Sequence, residues 1–129
     1  MNQYHQMIFT DDDFMGLLCY KNGSLTREFI RNATGMDSWS AFEKALSNTK
    51  PGNDGNIGIY FKEQEIIPFA CGIFRLDSNN KRVESFPAQV EFRALIEGQF
   101  LAKRIHAEQL GFCLSESGNF ILLYTIKFR

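Results

Sequence analysis

The stretch that decides the fold is PAQVEFRALIEGQFLAKRIHAEQL, residues 87–110. Its length and apolar spacing predict one long helix. Pro87 suits the first turn, where a missing N–H costs nothing, and Gly111 suits the end. Ala94, Gly98 and Ala102 fall four apart and make a ridge of small residues, flanked by Leu95, Leu101 and Ile105. A glycine inside a helix costs about 1 kcal/mol relative to alanine. Gly98 therefore implies that another backbone comes close there. Arg93 with Glu97, and Arg104 with Glu108, have the spacing to pair across the solvated face.

Shorter elements lie upstream. Met15 to Tyr20 is mostly apolar and bounded by Asp11-Asp12-Asp13 and Lys21-Asn22-Gly23, which predicts a buried strand. Ser24 is the expected cap of a helix from Leu25 toward Asn32, with Leu25 and Phe29 on one face. A second helix follows Asp37 or Ser38, with Trp39, Phe42 and Leu46 along it; Ser40 with Glu43 offers an alternative capping box. Lys50 to Asn56 is turn chemistry. Ile57–Phe61 and Gly72–Leu76 are strand-like, with Ile66-Ile67-Pro68 as an extended apolar connection between them. Asp77 to Asn80 is a turn and Arg82 to Ser85 a short return. The mixture indicates an α/β or α+β unit whose long helix carries more apolar surface than these strands cover.

Composition bounds the function. The 129 residues are one domain's worth, 44% hydrophobic and 22% charged, with a formal net charge of −1. Acids and bases are mixed along the chain, which argues against a nucleic-acid surface. Cys19, Cys71 and Cys113 are far apart with no Cys-x-x-Cys pair, so neither a disulfide framework nor a zinc site is implied. No signal peptide or membrane-spanning run is evident, and a cytoplasmic setting is expected.

Few constellations suggest chemistry. His5 and His106 have no partner at metal spacing, and consecutive aspartates at 11–13 do not converge on one point. Gly52, Gly55 and Gly58 lack the Lys-Ser/Thr of a P-loop. Asn22-Gly23-Ser24 at a helix start has the form of an anion site, against the plainer reading of a capped turn. Trp39 suits either core packing or stacking on a base.

Several stretches, however, resemble the FGGY family of sugar kinases, and its xylulose kinase branch. The strongest runs from Phe86-Pro87 through Arg93-Ala94-Leu95-Ile96-Glu97-Gly98-Gln99-Phe100 to Ala102-Lys103-Arg104-Ile105-His106-Ala107-Glu108. Leu18 to Glu28, Ser38-Trp39 and Gly55 to Phe61 follow the same pattern, in order, over about Phe14 to Phe112. The resemblance implies an α/β fold, part of an actin-like (RNase H-like) ATPase domain from the C-terminal half of a kinase. On that basis residues 1–112 are a partial kinase domain, and 113–129 a tail outside the family pattern. The tail's Phe120 to Ile126 is apolar and uncharged, an aggregation signature. The implied parent uses ATP and Mg to phosphorylate D-xylulose. The catalytic carboxylate and the phosphate-holding loops are expected outside this chain, which would then be inactive by itself. The resemblance places Trp39 beside the adenine and Asn22, Gly23 and Thr26 near the nucleotide. The alternative expectation is a non-catalytic product that acts only as an interaction fragment.

Overall fold

A computed structural model describes residues 5–9, 13–17, 19–109 and 111 of the chain. In order these form β1 (His5–Phe9), β2 (Asp13–Leu17), α1 (Ser24–Ala33), α2 (Trp39–Ser47), a short 3-10 turn (Asn53–Gly55), β3 (Ile57–Phe61), β4 (Gly72–Leu76) and α3 (Ala88–Gln109). The strands pair as two antiparallel hairpins. In one, His5 stands opposite Leu17 and Phe9 opposite Asp13; in the other, Ile57 faces Leu76 and Phe61 faces Gly72. Three helices with small antiparallel sheets make a mixed arrangement, compatible with the α/β class. The tail expected at 113–129 lies outside the described residues.

α3 is the axis of the described core. Its Phe92, Ala94 and Leu95 are buried together with Ile30 of α1, Phe42 and Ala45 of α2, and Tyr60 of β3. The Phe42 and Phe92 rings meet at 4.5 Å between centroids. The expected close approach at Gly98 is present, and the backbone that comes near is β3. A Cβ on Gly98 would collide with the carbonyl oxygen of Gly58. Gly58 is itself confined, because a Cβ there would run into the Tyr60 ring. Two glycines thus let helix and strand touch main chain to main chain.

Polar side chains fix the other elements to α3. The Arg93 guanidinium donates to the carbonyls of Leu46 (2.7 Å) and Thr49 (2.9 Å), and so caps the C-terminus of α2. That duty leaves the expected Arg93–Glu97 pair loose, at 3.8 Å. Glu97 instead accepts from the Gly52 N–H at 2.9 Å. Arg104 and Glu108 do pair, at 2.7 Å on the exposed face. Asn53, buried in the 50–56 turn at φ +48°, donates to the Val90 carbonyl at 3.0 Å. Arg75 of β4 grips buried Glu91 through both Nε and Nη2. Burial pushes the neighbouring Tyr60 hydroxyl well above its usual range, with the Glu91 charge adding to the rise.

Several expectations are corrected. The strand predicted for Met15 to Tyr20 starts earlier, at Asp13, and ends at Leu17, because pairing with β1 sets its limits. Cys19 is exposed, and Tyr20 turns away to His106. Gly23, not Ser24, is the residue before α1, and it supplies no side-chain cap. The buried face of α1 is Thr26 and Ile30; Leu25 is 69% exposed. The Thr26 hydroxyl bonds back to Asn22 one turn earlier, which sets that rotation. On α2 the Ser38 hydroxyl accepts from Ala41 N at 3.1 Å, so the Ser40–Glu43 box is not the cap. Ile66 to Pro68 is bent rather than extended. Arg82 makes only an isolated bridge to Leu76. β1 had no sequence-based expectation.

Gly98→Ala tests the central contact. Helix propensity favours alanine by about 1 kcal/mol, yet the collision with Gly58 should reverse the sign. A net loss of about 1–3 kcal/mol in urea unfolding is expected, as for an overpacked core. Stabilisation would mean that α3 and β3 are further apart.

Candidate functional site

A cavity of about 370 Å³ opens between β3 and the C-terminal half of α3. Ile57, Ile59, Leu101 and Ile105 line it while remaining 43–51% exposed, so its walls are largely apolar. The polar groups are concentrated where Tyr20, Asn22 and Gly23 pass before α1.

The polar end is built around Asn22, whose side chain is nearly saturated. Its Nδ2 donates to the Glu63 carbonyl (2.9 Å) and to Glu65 Oε2 (3.0 Å). Its Oδ1 accepts from the Glu63 N–H (3.1 Å) and the Thr26 hydroxyl (3.3 Å). Gln99 of α3 completes the junction, donating to the carbonyls of Asn22 (2.9 Å) and Gly23 (3.2 Å). The same Gln99 accepts from Arg27 at 2.8 Å. Segments far apart in sequence are thereby tied at one point: the residues before α1, the loop after β3, and α3. Beside them the Tyr20 hydroxyl lies 2.9 Å from His106 Nδ1, with the two rings stacked at 5.5 Å. Burial, with Arg27 nearby, lowers the affinity of Lys103 for its proton.

The sequence singled out four residues, and the structure gathers three of them. Asn22 and Gly23 line the cavity, and buried Thr26 reaches it through Asn22. Trp39 is placed elsewhere. It is 45% exposed at the start of α2, with the Arg31 guanidinium 4.5 Å from its ring centroid and Phe42 at its edge. Arg31 lies in the last turn of α1 and Gly23 just before its first. A ligand touching both regions has to span roughly 12 Å along α1, at 1.5 Å per residue. Glu65 and Gln99 were missed. Neither has a local signal, since the Asn22 they hold lies 43 and 77 positions away.

No cluster of three or more His, Cys, Asp or Glu side chains able to hold a metal ion occurs among the described residues. No helix among them is long and apolar enough to cross a membrane.

No protein-family profile matches the chain. Curated proteins do match. The xylulose kinase of Rattus norvegicus is 54% identical over 99 residues, and that of Mus musculus 56% identical over 99, each match covering 77% of this chain and 18% of the relative. Xylulose kinase 2 of Arabidopsis thaliana is 42% identical over 112 residues, covering 78% of this chain and 20% of that protein. Such identity makes the chain a homologue of sugar kinases. More narrowly, its homologues are the xylulose kinases, and the chain spans about a fifth of their length.

Removing the Asn22 side chain should be expensive for its size. Asn22→Ala leaves several buried partners unpaired, at about 1–3 kcal/mol each. A urea-unfolding loss of about 2 kcal/mol or more is expected. A loss below 0.5 kcal/mol, within the usual range for surface substitutions, would show that water replaces the amide.

Proposed function

We propose that this chain is a segment from the C-terminal half of a D-xylulose kinase and forms one wall of its nucleotide pocket. The observation that carries the reading is the 54–56% identity to xylulose kinases over 99 residues. In this reading residues 1–112 are part of an actin-like ATPase domain and 113–129 a tail outside the family pattern. The parent enzyme transfers the γ-phosphate of ATP, as its Mg complex, to a hydroxyl of D-xylulose, giving D-xylulose 5-phosphate.

Phosphoryl transfer depends on positioning and on charge stabilisation around the phosphates, with a carboxylate to take the hydroxyl proton. The contribution of this segment is positioning. Trp39 offers a partly exposed ring, held by Arg31 on one face and Phe42 at its edge, as a platform for adenine. Gly23 lets a ligand approach the backbone beside α1, and no Cβ contact would lie within 4 Å there. Asn22 and Thr26 act through the backbone they hold, because the Asn22 amide is occupied by protein partners. Mg would accompany ATP as its complex and neutralise charge on the phosphates.

Two measurements test this reading. The purified chain with ATP, Mg and D-xylulose should form no xylulose 5-phosphate above blank, and saturable turnover would overturn the segment assignment. In a complete kinase carrying this sequence, Trp39→Ala should weaken ATP binding by about 1–3 kcal/mol, the usual worth of base stacking, with sugar affinity unchanged. Equal ATP affinity in mutant and wild type would return Trp39 to a packing role.

A further inference from the structure

Glu65 is a buried ionisable group for which the proposed function has no use. It is 2% exposed, and each carboxylate oxygen accepts two N–H donors. Oε1 takes Lys21 N at 2.9 Å and Ile66 N at 2.8 Å; Oε2 takes Asn22 N at 3.1 Å and Asn22 Nδ2 at 3.0 Å. Three of the donors are main chain. Two of those belong to the turn that leads into α1, a helix that begins without a side-chain cap. The carboxylate itself is anchored: Glu65 N donates to the Ala70 carbonyl at 2.8 Å, which closes the loop after β3 on itself. A fixed anion therefore reaches from that loop and holds the turn by its amides.

We propose that Glu65 is a positioning residue, whose carboxylate clamps the Lys21–Gly23 turn and so places Gly23 and the start of α1 on the cavity wall. The clamp rests on geometry; that the wall faces a nucleotide rests on the proposed function. Ionised carboxylates bind N–H donors roughly twice as strongly as neutral acceptors do. A neutral amide at this position would also bring its own N–H₂ toward donors. Charge, and not only shape, is what the clamp requires.

The carboxylate is kept charged by its setting. Burial pushes its pKa up, but hydrogen bonds from Lys21, Ile66 and Asn22 outweigh burial and hold it below the usual carboxylate range. The same cavity wall carries the ionisable side chains of Tyr20, Lys103 and His106, and Lys21 and Glu63 flank the clamp along the chain. With a lowered folded-state pKa, the clamp is fully present above the ordinary carboxylate range. It is lost as pH falls through the lowered value.

The test uses the 129-residue chain as wild type, Glu65→Gln and Glu65→Asp, with hydrogen exchange read amide by amide. Glu65→Gln should speed exchange at Lys21, Asn22 and Ile66 by about tenfold or more, with Tyr60 and Leu95 unchanged. Glu65→Asp, one methylene short, should not restore protection. In the wild type, protection at the three amides should fall selectively as acid protonates the carboxyl; in Glu65→Gln that pH dependence should vanish. Unchanged exchange at the three amides, or equal acceleration at Tyr60 and Leu95, overturns the clamp. If Glu65→Gln does not fold, the wild-type pH profile decides, and pH-independent protection at the three amides overturns the proposal. Titration with ATP forms a separate arm. A shift at Gly23 in the wild type that is lost in Glu65→Gln is expected. No response to ATP in the wild type would sink the nucleotide reading, while the exchange data still judge the clamp.

Discussion

The contact between Gly98 and the carbonyl of Gly58 is the constraint on which the described architecture depends. Helices and strands normally meet through side chains, which keep their backbones well apart. Here neither partner has one, so β3 lies directly on α3. That closeness lets Tyr60 bury its ring against the helix and send its hydroxyl to the Glu91 carbonyl, 3.4 Å away. It also brings the loop after β3 close enough for Glu63 and Glu65 to meet the residues preceding α1.

From that contact the polar architecture divides along α3. The N-terminal half carries structural duties: Arg75 closes on Glu91, Asn53 reaches Val90, and Arg93 caps α2. The C-terminal half faces the cavity and holds its polar end through Gln99 and His106. An ion pair as buried as Arg75–Glu91 is weak evidence for net stability, because desolvation offsets much of its attraction. Its value lies in fixing the register of β4 against the helix, where Arg75 also reaches the Glu84 carbonyl at 2.8 Å.

The parts legible in sequence were those written in local patterns. β3 and β4 have the expected bounds, and α3 runs from the residue after Pro87 to Gln109. Gly98 announced a close backbone neighbour through the cost of a mid-helix glycine. The rotation of α1 could not be read, because apolar Leu25 and polar Thr26 exchange their expected places. The buried Thr26 hydroxyl is received by Asn22, which Glu63, Glu65 and Gln99 hold in turn. Asn22 and Gly23 stood out by their place at a helix start, and likeness to a family set them near a nucleotide. Glu65 needed the fold, since a glutamate in a polar loop looks like any solvated charge.

The Arg93 cap has a consequence for the order in which the chain acquires structure. The Leu46 carbonyl in the last turn of α2 and the Thr49 carbonyl just beyond it receive a guanidinium that follows them by more than forty residues. The turn before α1 waits longer still, for Gln99. On a ribosome that releases the chain from its N-terminus, the first half emerges with the Arg93 contact unmade and its polar junction open. Both are completed only when α3 leaves the exit tunnel. The long helix thus acts as a late template, and a nascent chain paused before residue 93 holds α1 and α2 without the element that locks them.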